Sequence, residues 1–314
     1  MTKILSNEYT ARKGDVNLYM FRKRLSGVTE SDLKSKPLLF LVHGSSMSAR
    51  SSFDLTVPGG NNYSLMDVFA TYGFDVWTMD HEGYGRSSHT NGNSDIASGV
   101  EDLKTGTELI RKETGIEQYA FFGQSSGALR AAAFANACPE RVEHLALAAL
   151  VWTGKGSPTL SKRRERLEEW RTKNRRTVDL DFYKSIHNRD KPGLSDPAVP
   201  TAMAEAERPY GGTVPTGTYF DMCARLPLVD PCKIQCPVLI IRGEHDGIAS
   251  NEDVIAFYNK LPNNDKQFIT LSAQAHSTQL GINRHRFWHV LNAFLTIPPR
   301  RDGLVVKEAR TASG

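Results

Sequence analysis

The chain alternates between short apolar runs and longer segments in which apolar residues recur at every third or fourth position. The runs Leu38-Leu39-Phe40-Leu41-Val42, Val76-Trp77-Thr78-Met79, Tyr119-Ala120-Phe121-Phe122, Val238-Leu239-Ile240-Ile241 and Phe268-Ile269-Thr270-Leu271 predict strands, the fourth of them buried. A further strand is expected from His144 to Val151. Between them the spacing predicts helices over 64–72, 95–114, 126–138, 251–261 and 283–296. In the second of these, Ile96, Val100, Leu103 and Ile110 share one face. Strand, loop and helix repeat in this order from Leu38 onward, which predicts a mostly parallel sheet with helices on both faces. Ahead of it, residues 8–23 alternate around Lys13-Gly14-Asp15 and predict an antiparallel hairpin.

The rhythm breaks after Trp152 and resumes only at Pro237. The intervening residues begin with a charge-rich helical stretch, Leu160 to Arg176. They continue through Pro192, Pro197, Pro200, Pro209 and Pro215 with short helical pieces between. The expected organisation is a core built from 1–152 and 233–298, an inserted and mainly helical cap at 153–232, and a tail at 299–314. The tail has few large apolar groups besides Leu304, Val305 and Val306 and is expected to be partly disordered. Ser45 to Tyr63 lacks any periodicity and contains Pro58-Gly59-Gly60-Asn61-Asn62; so long an irregular connection is expected to form one wall of a pocket entrance.

Gly123-Gln124-Ser125-Ser126-Gly127 stands at the switch from the strand at Tyr119 to the Ala-rich helix that follows. Glycine at both outer positions removes the side chains that would clash in a sharp turn, and the helix points its positive end at the serine. A helix N-cap is the plainer reading of Ser125, but the flanking glycines suit a nucleophile elbow better. Two late strands are followed by loops bearing Asp246 and His276. Glu244 competes with Asp246 for the role of the acid, while His285 and His289 lie on the last helix, too far on to compete with His276.

The order Ser125, Asp246, His276, each after a strand, resembles the α/β-hydrolase fold family from Leu38 to about Leu295. His43-Gly44-Ser45 stands where that family places an oxyanion-hole amide, and Asp80-His81-Glu82-Gly83-Tyr84-Gly85-Arg86-Ser87 is similar to its D-x-x-G-x-G-x-S loop. The resemblance implies a Ser125–His276–Asp246 triad, with the backbone N–H groups of Ser45 and Ser126 as the oxyanion hole. It implies structural roles for His43 and for Asp80, and hydrolysis of a small carboxylic ester through an acyl-enzyme. Relatives that cleave carbon–carbon bonds in ring-fission products usually carry Asn before the nucleophile and Trp after the histidine; here those positions are Gln124 and Ser277. Proline iminopeptidases commonly read G-G-S-W-G at the elbow, which this chain does not. Carbon–carbon hydrolysis and a non-hydrolytic small-molecule receptor remain alternatives, as does cofactor-independent oxygen chemistry. Met47, Tyr84, Trp152, Tyr210, Tyr219 and Met222 are candidates for an apolar substrate pocket.

Composition narrows the picture further. With 314 residues, 39% hydrophobic and 24% charged, the chain can bury a sizeable core. No apolar run approaches a membrane span, and Met1 to Glu8 lacks an apolar signal core, so a cytoplasmic location is expected, with no membrane partner. A net charge of +4 gives no reason to expect nucleic acid. Cys138, Cys223, Cys232 and Cys236 read as reduced and structural; neither a metal nor an organic cofactor is expected, and the partner is a small-molecule substrate. The basic run Lys162-Arg163-Arg164, with Arg166, Arg171, Lys173, Arg175 and Arg176, is interspersed with Glu165, Glu168 and Glu169. A solvated helix face is preferred here over attraction for anionic substrates.

Overall fold

Ten strands and eleven helices, besides short 3-10 turns, make up the described part of the chain. The computed structural model describes residues 3–29, 31–32, 36–60 and 62–298. The tail at 299–314 lies outside the described residues. The chain opens with β1 (Ile4–Lys13) and β2 (Val16–Leu25), an antiparallel hairpin turned at Gly14, which adopts φ +58°. It then alternates through β3 (Leu39–Val42), α1 (Ala49–Phe53), α2 (Leu65–Thr71), β4 (Val76–Met79), α3 (Ile96–Thr114), β5 (Tyr119–Gln124), α4 (Ser126–Ala137) and β6 (Val142–Ala148).

The insertion carries α5 (Pro158–Arg164), α6 (Leu167–Thr172), β7 (Arg175–Thr177), α7 (Leu180–Asn188), α8 (Ala198–Glu207), β8 (Thr213–Pro215) and α9 (Gly217–Ala224). The core resumes with β9 (Val238–Gly243), α10 (Asn251–Lys260), β10 (Lys266–Leu271) and α11 (Arg284–Leu295). Among the described residues, no helix is long and apolar enough to cross a membrane.

Eight strands form one sheet in the order β1-β2-β4-β3-β5-β6-β9-β10, parallel from β4 to β10. Strands inside such a sheet are covered on both faces, which is why β3, β4 and β5 read as continuous apolar runs and are buried along their whole length. One face packs Phe40, Val42, Trp77, Met79 and Phe121 against α3, α4 and α10. The other packs Leu39, Leu41, Val76 and Phe122 against α1, α2 and α11. A third apolar cluster joins Leu55, Val57 and Tyr63 to Tyr183, Val199 and Met203 of the insertion.

Chain order around β3 fixes where a site can form. β4 lies on one side of β3 and β5 on the other, so the winding reverses between β3 and β5. The crevice at the carboxyl ends of these two strands is where an open α/β sheet binds ligands.

Two expectations need correcting. Leu160 to Arg176 is not one helix: it breaks between α5 and α6 at Glu165 and Arg166, and Arg175–Thr177 pairs antiparallel with Thr213–Pro215. Trp170 turns inward at the break, its Nε1 donating to the Arg163 carbonyl at 3.0 Å and its ring meeting Tyr219 edge-on. The strand expected to reach Val151 ends at Ala148, because the buried Asp253 carboxylate draws the chain aside by accepting from the amides of Trp152, Thr153 and Gly154.

Candidate active site

The turn between β5 and α4 puts Ser125 at φ +58°, ψ −123°, outside the regions open to ordinary L residues. Such a conformation costs of order 1–3 kcal/mol and persists only where the surroundings enforce it. Here the enforcement is steric and hydrogen-bonded. A Cβ on Gly123 would come 2.5 Å from the Gly127 carbonyl oxygen, and one on Gly127 would come 2.2 Å from that of Val42. The Ser125 amide donates to the Ala148 carbonyl at 2.9 Å. Both glycines of the pattern are therefore needed for backbone to pass against backbone.

The loop after β3 approaches the elbow from the side. A Cβ on Gly44 would meet the Gln124 carbonyl oxygen at 3.1 Å, and the hydroxyls of Ser45 and Ser126 are hydrogen-bonded at 2.7 Å. The two residues assigned to the oxyanion hole thus stand side by side. His43 holds this loop from beneath: its Nε2 accepts from the His81 amide at 3.1 Å, so its Nδ1 carries the proton and donates to the Gly44 carbonyl at 2.8 Å. Burial, reinforced by His81 and Arg130, drives the His43 pKa well below its ordinary value, so the ring is neutral. Asp80 closes the adjoining turn by accepting from the amides of Ala49 (2.7 Å) and Arg86 (2.9 Å), with Gly83 at φ +83° and Gly85 at φ +50°.

Asp246 and His276 meet beyond β9 and β10. His276 Nδ1 lies 2.9 Å from Asp246 Oδ1, and the same carboxylate oxygen accepts from the Ile248 amide at 2.8 Å. Burial pushes the Asp246 carboxyl up, but the charge and hydrogen bond of His276, with the amides of Ile248 and Ala249, outweigh it and hold it below the usual range. An ionised Asp246 fixes the imidazole proton on Nδ1 and leaves the Nε2 lone pair available. Glu244 is engaged elsewhere, accepting from the Ala273 amide at 2.8 Å.

Ser125 and His276 line the same small cavity, about 40 Å³, with Gly44, Ser45, Met47 and Gln124. Among the described residues no hydrogen bond joins the Ser125 hydroxyl to the His276 ring; in ligand-free sites this bond is often long and tightens around the substrate. Among the described residues no group of three or more His, Cys, Asp or Glu is placed to hold a metal ion. The four cysteines form no disulfide; Cys138 and Cys223 are buried, Cys236 is half-buried and Cys232 is exposed.

Of the six residues named for the pocket, Met47 and Tyr219 line the cavity. The other four do not. Tyr84 is buried, edge-on to His43, and donates to the Ser45 carbonyl at 3.2 Å, so it supports the loop from behind. Trp152 packs on Phe257 and donates to the Val229 carbonyl at 3.0 Å, having followed the chain drawn aside by Asp253. Met222 is buried in the apolar core, and Tyr210 accepts from Arg86 Nε. The structure adds residues that were not among the pocket candidates. Gln124 Nε2 donates to the His276 carbonyl at 2.7 Å and ties the histidine loop to the nucleophile strand; Arg163, Ile186 and Arg189 reach the cavity from the insertion.

An eight-stranded sheet that carries a strained serine at its winding reversal, beside a His–Asp pair, has the architecture of the α/β hydrolases and of their serine-hydrolase branch. The chain belongs to the serine aminopeptidase S33 family, whose sequence profile matches residues 57–280. Comparison with curated proteins finds no significant match. Among solved structures the chain is similar to a serine hydrolase from Cycloclasticus zankles, a polyaromatic hydrocarbon-degrading bacterium, with a TM-score of 0.67, 16% identity and coverage of 92% of this chain and 97% of that one. It is also similar to the 2-hydroxy-6-oxo-6-phenylhexa-2,4-dienoate hydrolase of Rhodococcus sp. strain RHA1 (0.66, 17%, 94% and 99%). A thermophilic esterase from Thermogutta terrifontis gives 0.62, 18%, 93% and 98%. At these identities the likeness is one of fold.

Proposed function

We propose that the chain hydrolyses a small carboxylic ester through an acyl-enzyme on Ser125. The observation that carries this reading is the 2.9 Å contact between His276 Nδ1 and Asp246 Oδ1, with the ring lining the same cavity as the strained serine. In the first step Ser125 Oγ bonds to the ester carbonyl carbon as His276 Nε2 takes the hydroxyl proton. The carbonyl oxygen becomes the oxyanion and is met by the amides of Ser45 and Ser126. The C–O bond to the alcohol then breaks and the imidazolium returns its proton to the leaving oxygen. Water enters, loses a proton to His276 and attacks the acyl carbon; collapse releases the acid and restores the serine hydroxyl. Asp246 stays ionised throughout, orienting the ring and stabilising the imidazolium.

An ester is favoured over a carbon–carbon bond because Gln124 and Ser277 stand where carbon–carbon hydrolases of this fold usually carry Asn and Trp. The test is hydrolysis of p-nitrophenyl acetate and butyrate. Wild type turns both over, and Ser125→Ala loses on the order of 10³-fold or more in kcat, as deletions within such a unit do. Equal rates for the two proteins would remove the proposal.

A further inference from the structure

The small cavity at Ser125 opens beside a much larger one, and the two share Arg163, Ile186, Arg189 and Tyr219. At about 40 Å³ the first has room for little more than the reacting group, because a single water needs roughly 10–15 Å³. The second measures about 730 Å³ and lies under α5, α6 and α7. Its walls gather five cations, Lys162, Arg163, Arg166, Arg176 and Arg189, against two carboxylates. Each carboxylate is taken: Glu169 binds Arg166 at 2.6 Å and Asp190 binds Arg189 at 2.7 Å.

Two arginines are left without a carboxylate. Arg163 is half-buried and its guanidinium has no hydrogen-bond partner among the described residues; it stacks on Tyr219 at 4.1 Å. Arg176 is only 7% exposed and stacks on the same ring from 4.0 Å. Its Nη2 donates to the Ser45 carbonyl and to Ser46 Oγ, while its Nε is sealed from solvent and has no partner among the described residues. A half-buried guanidinium with no acceptor, as at Arg163, is costly unless a ligand supplies one. The positive field is felt by the phenol between them. Burial raises the Tyr219 pKa, but Arg163 and Arg176 outweigh it and bring the group down to about 8.

We infer that this arginine-lined cleft is a subsite for a carboxylate carried by the substrate, so that the preferred ester is anionic at the end remote from the scissile bond. This rests on the serine-hydrolase reading above. The reacting carbonyl sits at Ser125, an apolar spacer lies along Ile186, and the carboxylate meets Arg163, with the charge of Arg176 beside it in the same wall. A singly charged group fits better than a phosphate dianion, which the neighbouring Glu169 and Asp190 would repel. The surface charges of the same segment are a separate matter: Arg171 pairs with Glu168 in the solvent, and the exposed Lys173 reaches Glu169 at 3.8 Å.

The test compares monoethyl esters of the dicarboxylic acids from succinic to suberic with ethyl esters of the matching monocarboxylic acids, by pH-stat, in wild type, Arg163→Gln and Arg163→Lys. At the best chain length wild type favours the anionic ester in kcat/KM by tenfold or more. Arg163→Gln reduces that preference about tenfold through KM, the scale of one charge-assisted hydrogen bond, and Arg163→Lys recovers part of it. Turnover of the neutral esters with no anionic preference at any length overturns the subsite and leaves the esterase reading standing. If no ester is turned over, calorimetric titration with free glutarate decides: saturable binding weakened by Arg163→Gln supports the subsite, and no binding, or tighter binding of inorganic phosphate, overturns it.

Discussion

Single side chains decide the chemistry, and they do so through their partners. Asp246 is buried with one oxygen on His276 and two backbone amides, while its other oxygen has no partner among the described residues. Replacing it by Asn turns an acceptor of the Nδ1 proton into a group that can present N–H instead, favouring the wrong tautomer. Asp246→Asn is expected to lower kcat for p-nitrophenyl butyrate by roughly 10³–10⁴ with KM little changed. A loss under tenfold would show that the acid is not needed. The residue scale is also where the sequence misleads most. Tyr84 and Trp152 are large groups close in sequence to the site loops and Met222 lies on the insertion's last helix, yet their roles depend on which way one side chain turns. Arg163 and Arg176 lie in a run of charges and read as solvated, whereas one is half-buried and the other buried.

At the scale of elements the opposite holds. The parallel strands and five main helices follow from apolar runs and helical spacing, because each is long enough for its pattern to outweigh any single residue. Short elements escape: α1, and the ladder of Arg175–Thr177 on Thr213–Pro215, are too brief to show a period and depend on contacts far along the chain. The β5–α4 elbow was legible because its steric constraint, though it comes from the distant β3, leaves room only for glycine at two fixed positions of one short motif. A methyl at Gly127 would stand 2.2 Å from the Val42 oxygen and 2.6 Å from that of His43, both backbone atoms that cannot swing away. Gly127→Ala is therefore expected to destabilise the fold by about 2 kcal/mol, read as a lower urea midpoint, and to reduce ester turnover with it. An unchanged midpoint would show that the elbow can open at no cost.

A partly buried ionic network joins β1, the loop after β4 and α3. Lys13 at the end of β1 contacts Asp102 of α3 and binds Glu82 at 2.8 Å, and Asp102 Oδ2 lies 3.1 Å from His81 Nδ1. Burial pushes the Asp102 carboxyl up, yet the hydrogen bond and charge of His81 with the charge of Lys13 bring it down to about 2. Burial, then Arg130, lowers His81 to about 4. Both folded values lie below those of the unfolded chain, about 6.5 for His and 3.9 for Asp. Stability from this network is thus complete above about pH 6.5. It is lost as the pH falls, first as unfolded His takes up protons and then, below about pH 4, as unfolded Asp does. Burial raises the Asp80 carboxyl to about 7, which acts in the opposite direction, so the network is read as a difference: the gap in urea midpoint between wild type and His81→Gln should move against wild type from pH 7 to pH 4, and Asp102→Asn should start lower and flatten the most acidic part of the curve. A gap constant over that range would contradict the account.

The claim on which the mechanism depends is that Ser125 is a nucleophile activated by His276, and active-site labelling tests it most directly. Wild type treated with a serine-reactive phosphonate, digested and mapped by mass spectrometry, should carry one adduct, on the peptide containing Ser125, and His276→Ala should label more slowly by roughly 10³-fold. An adduct on a different residue, or equal labelling rates in the two proteins, would contradict it.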